Sequence, residues 1–220
     1  MTRSGGVQIV GYSKKLEGFR LQADLRVESD ERLAIVGPSG SGKTTLLRWI
    51  SGLDPADAGA LRIGEFDVTR QPPEMRGVGY VFQDQALFTM KSVLENATFG
   101  LRMKNTSRRD AEKQVQPWLE RFGLVRTLNT PIDRLSGGER QRLALVRAVA
   151  WAPRVLLLDE PFSALDAPLR AKLREEVRAL HDDLRIPLIL VTHDEEDLRA
   201  LATGRAEFVG QETRVLTRTS

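Results

Sequence analysis

The stretch "LAIVGPSGSGKTTLLRWISG", residues 33–52, constrains the fold more than any other part of the chain. Its four leading apolar residues read as a buried strand. "KTTLLRWIS" has helical spacing, with Gly52 placed to close it. Between them stand Gly37, Pro38, Ser39, Gly40, Ser41, Gly42, Lys43, Thr44 and Thr45. A loop of that makeup brings its own backbone N–H groups against something large and negative, because glycine allows close approach and positive φ. Gly37, Gly42, Lys43 and Thr44 match G-x-x-x-x-G-K-[ST] between a strand and a helix, where backbone N–H groups and a helix N-terminus cradle phosphates. The guest this predicts is a nucleoside triphosphate, with Lys43 on the β and γ oxygens and the Thr44 hydroxyl ligating Mg2+. An ordinary glycine turn capping a helix is the alternative, and the strand and helix on either side count against it.

The 220 residues are 41% hydrophobic, enough for one compact domain or a domain with a lobe inserted into it. With 33 Lys and Arg against 30 Asp and Glu, the net charge of +3 is a narrow excess, with no clustered basic face, so no nucleic-acid partner is expected. Cysteine is absent, which rules out disulfides and thiolate metal sites. The two histidines, His181 and His193, cannot make a metal site alone. "MTRSGGVQIVGYSKK" lacks the apolar core of a leader, and no apolar run approaches the ~20 residues of a membrane helix.

Four short apolar runs read as buried parallel strands: "LAIV" (33–36), "VGYVF" (78–82), "VLLL" (155–158) and "PLILV" (187–191). They run into the glycine loop, into Gln83, into Asp159 and Glu160, and into Thr192 and His193 respectively. Ligands of open α/β sheets bind beyond the carboxyl ends of the strands, so the four exits should converge on one site. "VQIVGY", "FRLQADLRVE" and "GALRIGEFDV" alternate and carry turn residues, which predicts an antiparallel β lobe. "SVLENATFGLRM", "SRRDAEKQVQPWLERFGL" and "GERQRLALVRAVAW" predict helices, the last stopped by Pro153, with "RRDAEK" (108–113) a solvated face. The expected fold is α/β, a P-loop NTPase with a mainly parallel core sheet, an N-terminal antiparallel β lobe and an inserted helical lobe. Residues 1–82 and 154–220 form the nucleotide-binding core, and 84–153 the helical lobe.

Asp159 is placed to hold Mg2+ as the acidic partner of a phosphate loop, and Glu160, one residue further out, to orient and deprotonate an attacking water. Alone, an acidic pair after a strand is a solvated turn; beside the phosphate loop it is not. In "LSGGERQR" (135–142), Ser136 and Glu139 make a capping box, while Gly137 and Gly138 favour a helix N-terminus bared to an anion.

"LSGGERQR", between "GPSGSGKTT" and "VLLLDE", resembles the signature of ABC-transporter ATP-binding subunits, and the resemblance covers nearly the whole chain. It implies that Gln83 in "YVFQD" contacts Mg2+ and the attacking water, that Asp166 in "SALD" crosses a dimer interface, and that His193 in "VTHD" contacts the γ-phosphate. Read alone, the three are a surface glutamine, a helix-start aspartate and a structural histidine. The resemblance further implies head-to-tail dimers in which Ser136, Gly137 and Gly138 of one copy meet the γ-phosphate held by residues 37–45 of the other. An adenine-stacking aromatic precedes the phosphate loop in this family; Tyr12 is closest in spacing and Phe19 is the other candidate.

The implied protein is an ATPase subunit of a bacterial importer. It would dimerise around two Mg-ATP and drive a transmembrane permease from the inner face of the cell membrane, with a solute-binding protein in the same system. "DQALFTMKSVLENATFGLR" would face the permease, with Lys91 and Ser92 departing from the usual link. "PPEMRGVGYVFQDQALF" and "DEPFSALDAPLR" look most like uptake subunits for oxyanions, ferric iron, thiamine or polyamines. "AEFVGQETRVL" reads as a terminal hairpin, and no C-terminal regulatory domain is expected after Ser220. Two rivals are a soluble ABC ATPase of DNA repair or translation, which would show a coiled-coil insertion or two cassettes, and a P-loop kinase of a small metabolite, which gives no reason for "LSGGERQR" or His193.

Overall fold

The computed structural model describes residues 5–219; residues 1–4, where the stretch judged to lack a leader begins, and residue 220 lie outside the described residues. In chain order the elements are β1 (Val7–Leu16), β2 (Phe19–Val27), β3 (Arg32–Val36), α1 (Lys43–Ser51), β4 (Ala58–Ile63), β5 (Phe66–Asp67) and β6 (Val78–Val81). Three helices follow, α2 (Val93–Met103), α3 (Arg108–Arg121) and α4 (Gly137–Val149). The chain then returns through β7 (Val155–Asp159), α5 (Ala167–Leu184), β8 (Leu188–Val191), α6 (Glu195–Leu201), β9 (Gly204–Val209) and β10 (Thr213–Thr219). Two compact units result: residues 5–80, Arg154–Glu160 and 177–219 in one, Val81–Pro153 and Pro161–Glu176 in the other.

Among the described residues the strands form one sheet in the order β5-β4-β1-β2-β10-β9-β3-β8-β7-β6. The apolar runs behave as their composition predicts. β3, β8 and β7 are parallel neighbours, with Ile189 opposite Leu33 on one side and Leu157 on the other, all three fully buried. The alternating N-terminal segments pair antiparallel, β1 with β2 and β1 with β4. They make the expected antiparallel β lobe, continuous with the core in one sheet. The C-terminal hairpin joins them to it, β10 pairing parallel with β2 and β9 parallel with β3.

β1 carries a bulge between Ile9 and Tyr12, with Gly11 at φ +59°. Val7 and Ile9 point into the core, and the extra residue shifts the phase so that Tyr12, not residue 11, is the next inward side chain.

α1 buries Leu46, Leu47 and Ile50 and ends at Gly52, φ +85°. Its C-terminal carbonyls are clamped by Arg76, whose Nη1 donates to Trp49 O (2.6 Å) and Ile50 O (3.3 Å) while Nε donates to Gln71 O (2.8 Å) and Nη2 to Thr69 O (3.1 Å). One guanidinium thereby ties the helix end to the loop that follows β5, giving Ile50 O a partner and Trp49 O a second beside the Gly52 N–H.

In the second unit, capping boxes start α2 (Ser92 with Glu95) and α4 (Ser136 with Glu139), and Ser107 caps α3. Arg108, Arg109, Asp110 and Lys113 are exposed, as expected of a solvated face, while Ala111 turns inward.

Arg76 is 6% exposed, so its loss removes a buried guanidinium's four carbonyl contacts at once. Arg76→Met should cost about 2–3 kcal/mol of folding free energy, measured by urea denaturation. A change below about 0.5 kcal/mol would show that the clamp is dispensable.

Candidate functional site

β8 lies between β3 and β7 and runs parallel to both. The loop after β3, the residues ending β7 and those following β8 therefore emerge on one edge of the sheet, where α/β ligands bind.

The loop is shaped at Gly42, the N-cap of α1, with φ +101°. A Cβ there would stand 2.5 Å from a Leu21 methyl, so both the backbone angle and the space call for glycine. α1 consequently begins with no side-chain cap and no acidic residue in its first turn, unlike α2 and α4. Its dipole and leading N–H groups are left to an anion. Lys43, the first helical residue, is buried, and its Nζ donates to Gly37 O (2.8 Å), Pro38 O (2.8 Å) and Ser41 Oγ (3.2 Å). Burial lowers its pKa, against the pull of the Glu160 and Asp159 carboxylates. Pro38, Ser39 and Gly40 are exposed at the loop's crest, Ser41 is buried beneath it, and Thr45 is half-buried in the helix.

Asp159 ends β7, 3% exposed, and accepts from Thr44 Oγ1 (3.1 Å) and from Tyr80 OH (3.0 Å). Burial raises its carboxyl pKa above the usual range, while the two hydrogen bonds oppose that shift. Tyr80 was missed in the sequence; its one signal was a lone tyrosine inside the apolar run "VGYVF". The Thr44 hydroxyl and the Asp159 carboxylate are hard oxygen donors of the kind Mg2+ takes, with its remaining positions filled by water and substrate phosphates. Among the described residues no group of three or more His, Cys, Asp or Glu could hold a metal.

Glu160 has φ +45°, a left-handed conformation costing about 1 kcal/mol in a residue with a side chain. Its N–H donates to Val191 O (2.9 Å), which ties the bend to the end of β8. His193 leaves that same end, 66% exposed, with Nδ1 3.4 Å from Glu160 Oε2. Thr192 braces the exit: its hydroxyl donates to Asp197 Oδ2 (2.6 Å) and accepts from Asp194 N–H (3.1 Å). In the sequence Thr192 is legible only as a strand exit, and Asp197 carries no motif at all.

Tyr12 does not take the stacking place expected of it. Turned inward by the bulge, it is 1% exposed and packs on Trp49 with ring centroids 4.6 Å apart, so it has no face to offer a base. Phe19, at the start of β2, remains only half-buried. One other expectation needs adjustment. The N-terminus of α4 is not bare: Ser136 Oγ donates to Glu139 Oε2 (2.7 Å), and the Glu139 N–H donates back to Ser136 Oγ (3.2 Å). Gly137 and Gly138 lie inside the first turn, and Gly138 has a packing reason, since a Cβ there would stand 2.6 Å from a Leu169 methyl.

The structure thus brings residues 37–45, Asp159, Glu160 and His193 together in the first unit. Gln83, Ser136, Gly137, Gly138 and Asp166 belong to the second. There Gln83 is exposed after β6, and Asp166 Oδ1 accepts the Leu169 N–H (2.9 Å) at the start of α5.

Residues 21–163 match the family model described as ABC transporter. A sulfate/thiosulfate import ATP-binding protein CysA of Bordetella parapertussis is 45% identical over 95% of this chain and 63% of its own length. One from Cucumis sativus is 46% identical over 93% of this chain and 62% of its own. The chain therefore spans just under two thirds of these curated relatives. Among solved structures, the ATP-binding cassette MJ0796, in a dimeric post-hydrolysis state bound to ADP and Pi, superposes with a TM-score of 0.82 at 27% identity, covering 96% of this chain and 98% of that one. A dimeric structure of the same bacterial ABC transporter cassette gives 0.81 at 27% identity, over 94% and 96%.

A raised carboxyl pKa means that the folded chain holds the Asp159 proton more tightly than the unfolded chain does. Ionised Asp159 therefore costs stability above its folded pKa, and the cost vanishes below the ordinary carboxylate range. Asp159→Asn should raise the thermal unfolding midpoint at pH 7, with the gain shrinking as scans move into that acid range. A midpoint below wild type at pH 7 would mean that the Thr44 and Tyr80 hydrogen bonds outweigh the burial.

Proposed function

The chain belongs to the ABC transporter family, and from that footing we propose that it is the ATP-binding and hydrolysing subunit of a bacterial importer. The observation that carries this is the uncapped N-terminus of α1, with buried Lys43 beside it and Asp159, Glu160 and His193 at the neighbouring strand ends.

In this proposal residues 37–45 hold the triphosphate, their N–H groups and Lys43 countering charge on the β and γ oxygens. Thr44 and Asp159, with Gln83, would hold Mg2+, which neutralises charge on those oxygens when bound. Glu160 orients a water and takes its proton as the water oxygen bonds to the γ-phosphorus and the bond to the β,γ-bridging oxygen breaks, leaving ADP and phosphate. The left-handed bend at Glu160 aims the carboxylate outward from the strand end, and His193, 3.4 Å from it, contacts the γ-phosphate. With Tyr12 in the core, base stacking falls to Phe19.

Two copies close head to tail, so that Ser136, Gly137 and Gly138 of one complete the site of the other and Asp166 lies at the interface. The dimeric state of the MJ0796 cassettes supports this. Closure and hydrolysis would be passed to a transmembrane permease, with the subunit held on the inner face of the membrane and a solute-binding protein delivering cargo. The import role named for the 45%-identical relative supports uptake. Among the described residues no helix is long and apolar enough to cross a membrane.

Glu160→Gln should preserve ATP binding and lower single-turnover hydrolysis by at least about 100-fold, with an ATP-bound dimer accumulating on sizing columns. Wild-type turnover would remove Glu160 from the role. Ser136→Arg should leave ATP affinity, measured by calorimetry, within about threefold while abolishing hydrolysis at saturating ATP, because a bulky cation is forced into the dimer contact. Wild-type turnover in that variant would reduce the segment to a helix cap.

A further inference from the structure

On β2 and β10, parallel neighbours, Arg214 stands opposite Leu21. Leu21 points at the phosphate loop, its methyls against Gly42, and Phe19, two residues earlier on the same strand, shares that face. Arg214 extends across this face and touches two things. Its guanidinium carbon lies 3.7 Å from the Phe19 ring centroid, and its Nη1 donates to Gly40 O at the loop's crest, 2.7 Å away. The side chain therefore spans from the aromatic ring to the phosphate loop. A nucleotide with phosphates in that loop and its base on Phe19 must run along the same span.

At 3.7 Å the guanidinium is already in van der Waals contact with the ring, and a purine stacked on that face needs the same separation. Base and guanidinium cannot both be there. We propose that Arg214 is a gate on the nucleobase site: it occupies the face of Phe19 that the base takes, and it swings away when a nucleotide binds, giving up the Gly40 carbonyl. This rests on the assignment of Phe19 as the base platform. The gate sets a penalty that only ligands carrying a base incur, because a bare triphosphate can enter the loop with Arg214 in place. It also makes Gly40 a sensor of base occupancy, since the loop's crest is tethered to β10 until the base arrives.

The test compares Mg-ATP with inorganic tripolyphosphate plus Mg2+ by calorimetry on the full chain and three variants. Arg214→Ala should tighten ATP about fivefold relative to tripolyphosphate, through loss of one cation–π contact and one hydrogen bond that the base must displace. Normalising to tripolyphosphate removes the effect of deleting a positive charge near the phosphates. Arg214→Lys, which keeps the charge without the planar fork, should fall between. Phe19→Ala should weaken ATP about tenfold and leave tripolyphosphate within twofold, and in the Phe19→Ala background the gain from Arg214→Ala should disappear. If Phe19→Ala weakens ATP but Arg214→Ala leaves the ratio within twofold or weakens ATP, the gate is overturned and the platform stands. If Phe19→Ala leaves the ratio unchanged, the platform assignment itself fails, and the gate with it. Circular dichroism melts of each variant separate these outcomes from loss of fold.

Discussion

The structure depends on one helix end left without a partner of its own. Among the described residues the other α-helices begin on side-chain caps: Ser92 with Glu95, Ser107, Ser136 with Glu139, Asp166 and Asp194. At α1 the cap is Gly42, which has no side chain to give, and the first turn holds Lys43 and two threonines in place of an acid. The uncapped positive end of the dipole therefore lies beside a buried ammonium held by the Gly37 and Pro38 carbonyls, an arrangement that favours an anion. The surroundings hold it in that state. Leu21 closes over Gly42, Arg76 locks the far end of α1, and β3 feeds the loop from the middle of a parallel sheet.

Stability is given up around this point in several small ways. Lys43 and Asp159 are both held with burial working against their charged forms, and Glu160 sits at φ +45°. Each is unfavourable for an isolated chain, and each aims a charge or a carboxylate at one edge of the sheet. Their clustering at neighbouring strand ends is the pattern expected where structure serves chemistry. The rest of the first unit compensates with three neighbouring apolar strands, β3, β8 and β7, buried nearly end to end.

The signature segment shows how an ordinary role and a specialised one can share residues. Ser136 and Glu139 form a complete capping box, and Asp166 starts α5, so both are fully explained as helix chemistry. Gly138 is explained by the Leu169 methyls. What helix chemistry does not explain is why these pieces lie together in the second unit, where Pro161–Glu176 packs with the helices although it directly follows a core strand.

The sequence by itself determined the elements whose physics is local. The strand-loop-helix at residues 33–52, the buried parallel runs, the closing Gly52 and the acidic pair after "VLLL" were legible because burial, periodicity and turn chemistry act over a few residues. The terminal hairpin was legible too, from its turn and its alternation. Only the tertiary structure decided what depends on register and neighbours. A one-residue bulge put Tyr12 into the core, a change invisible to spacing because it reverses the inward phase without altering composition. Strand order decided that β6 borders β7, which gives Asp159 the partner Tyr80, and that β8 borders β7 on its other side, which sets His193 against Glu160. The hairpin's parallel pairing with both β2 and β3 joined the β lobe and the core into one sheet, since hydrogen bonding between strands far apart in the chain is fixed by the collapse of the whole core and not by any segment within it.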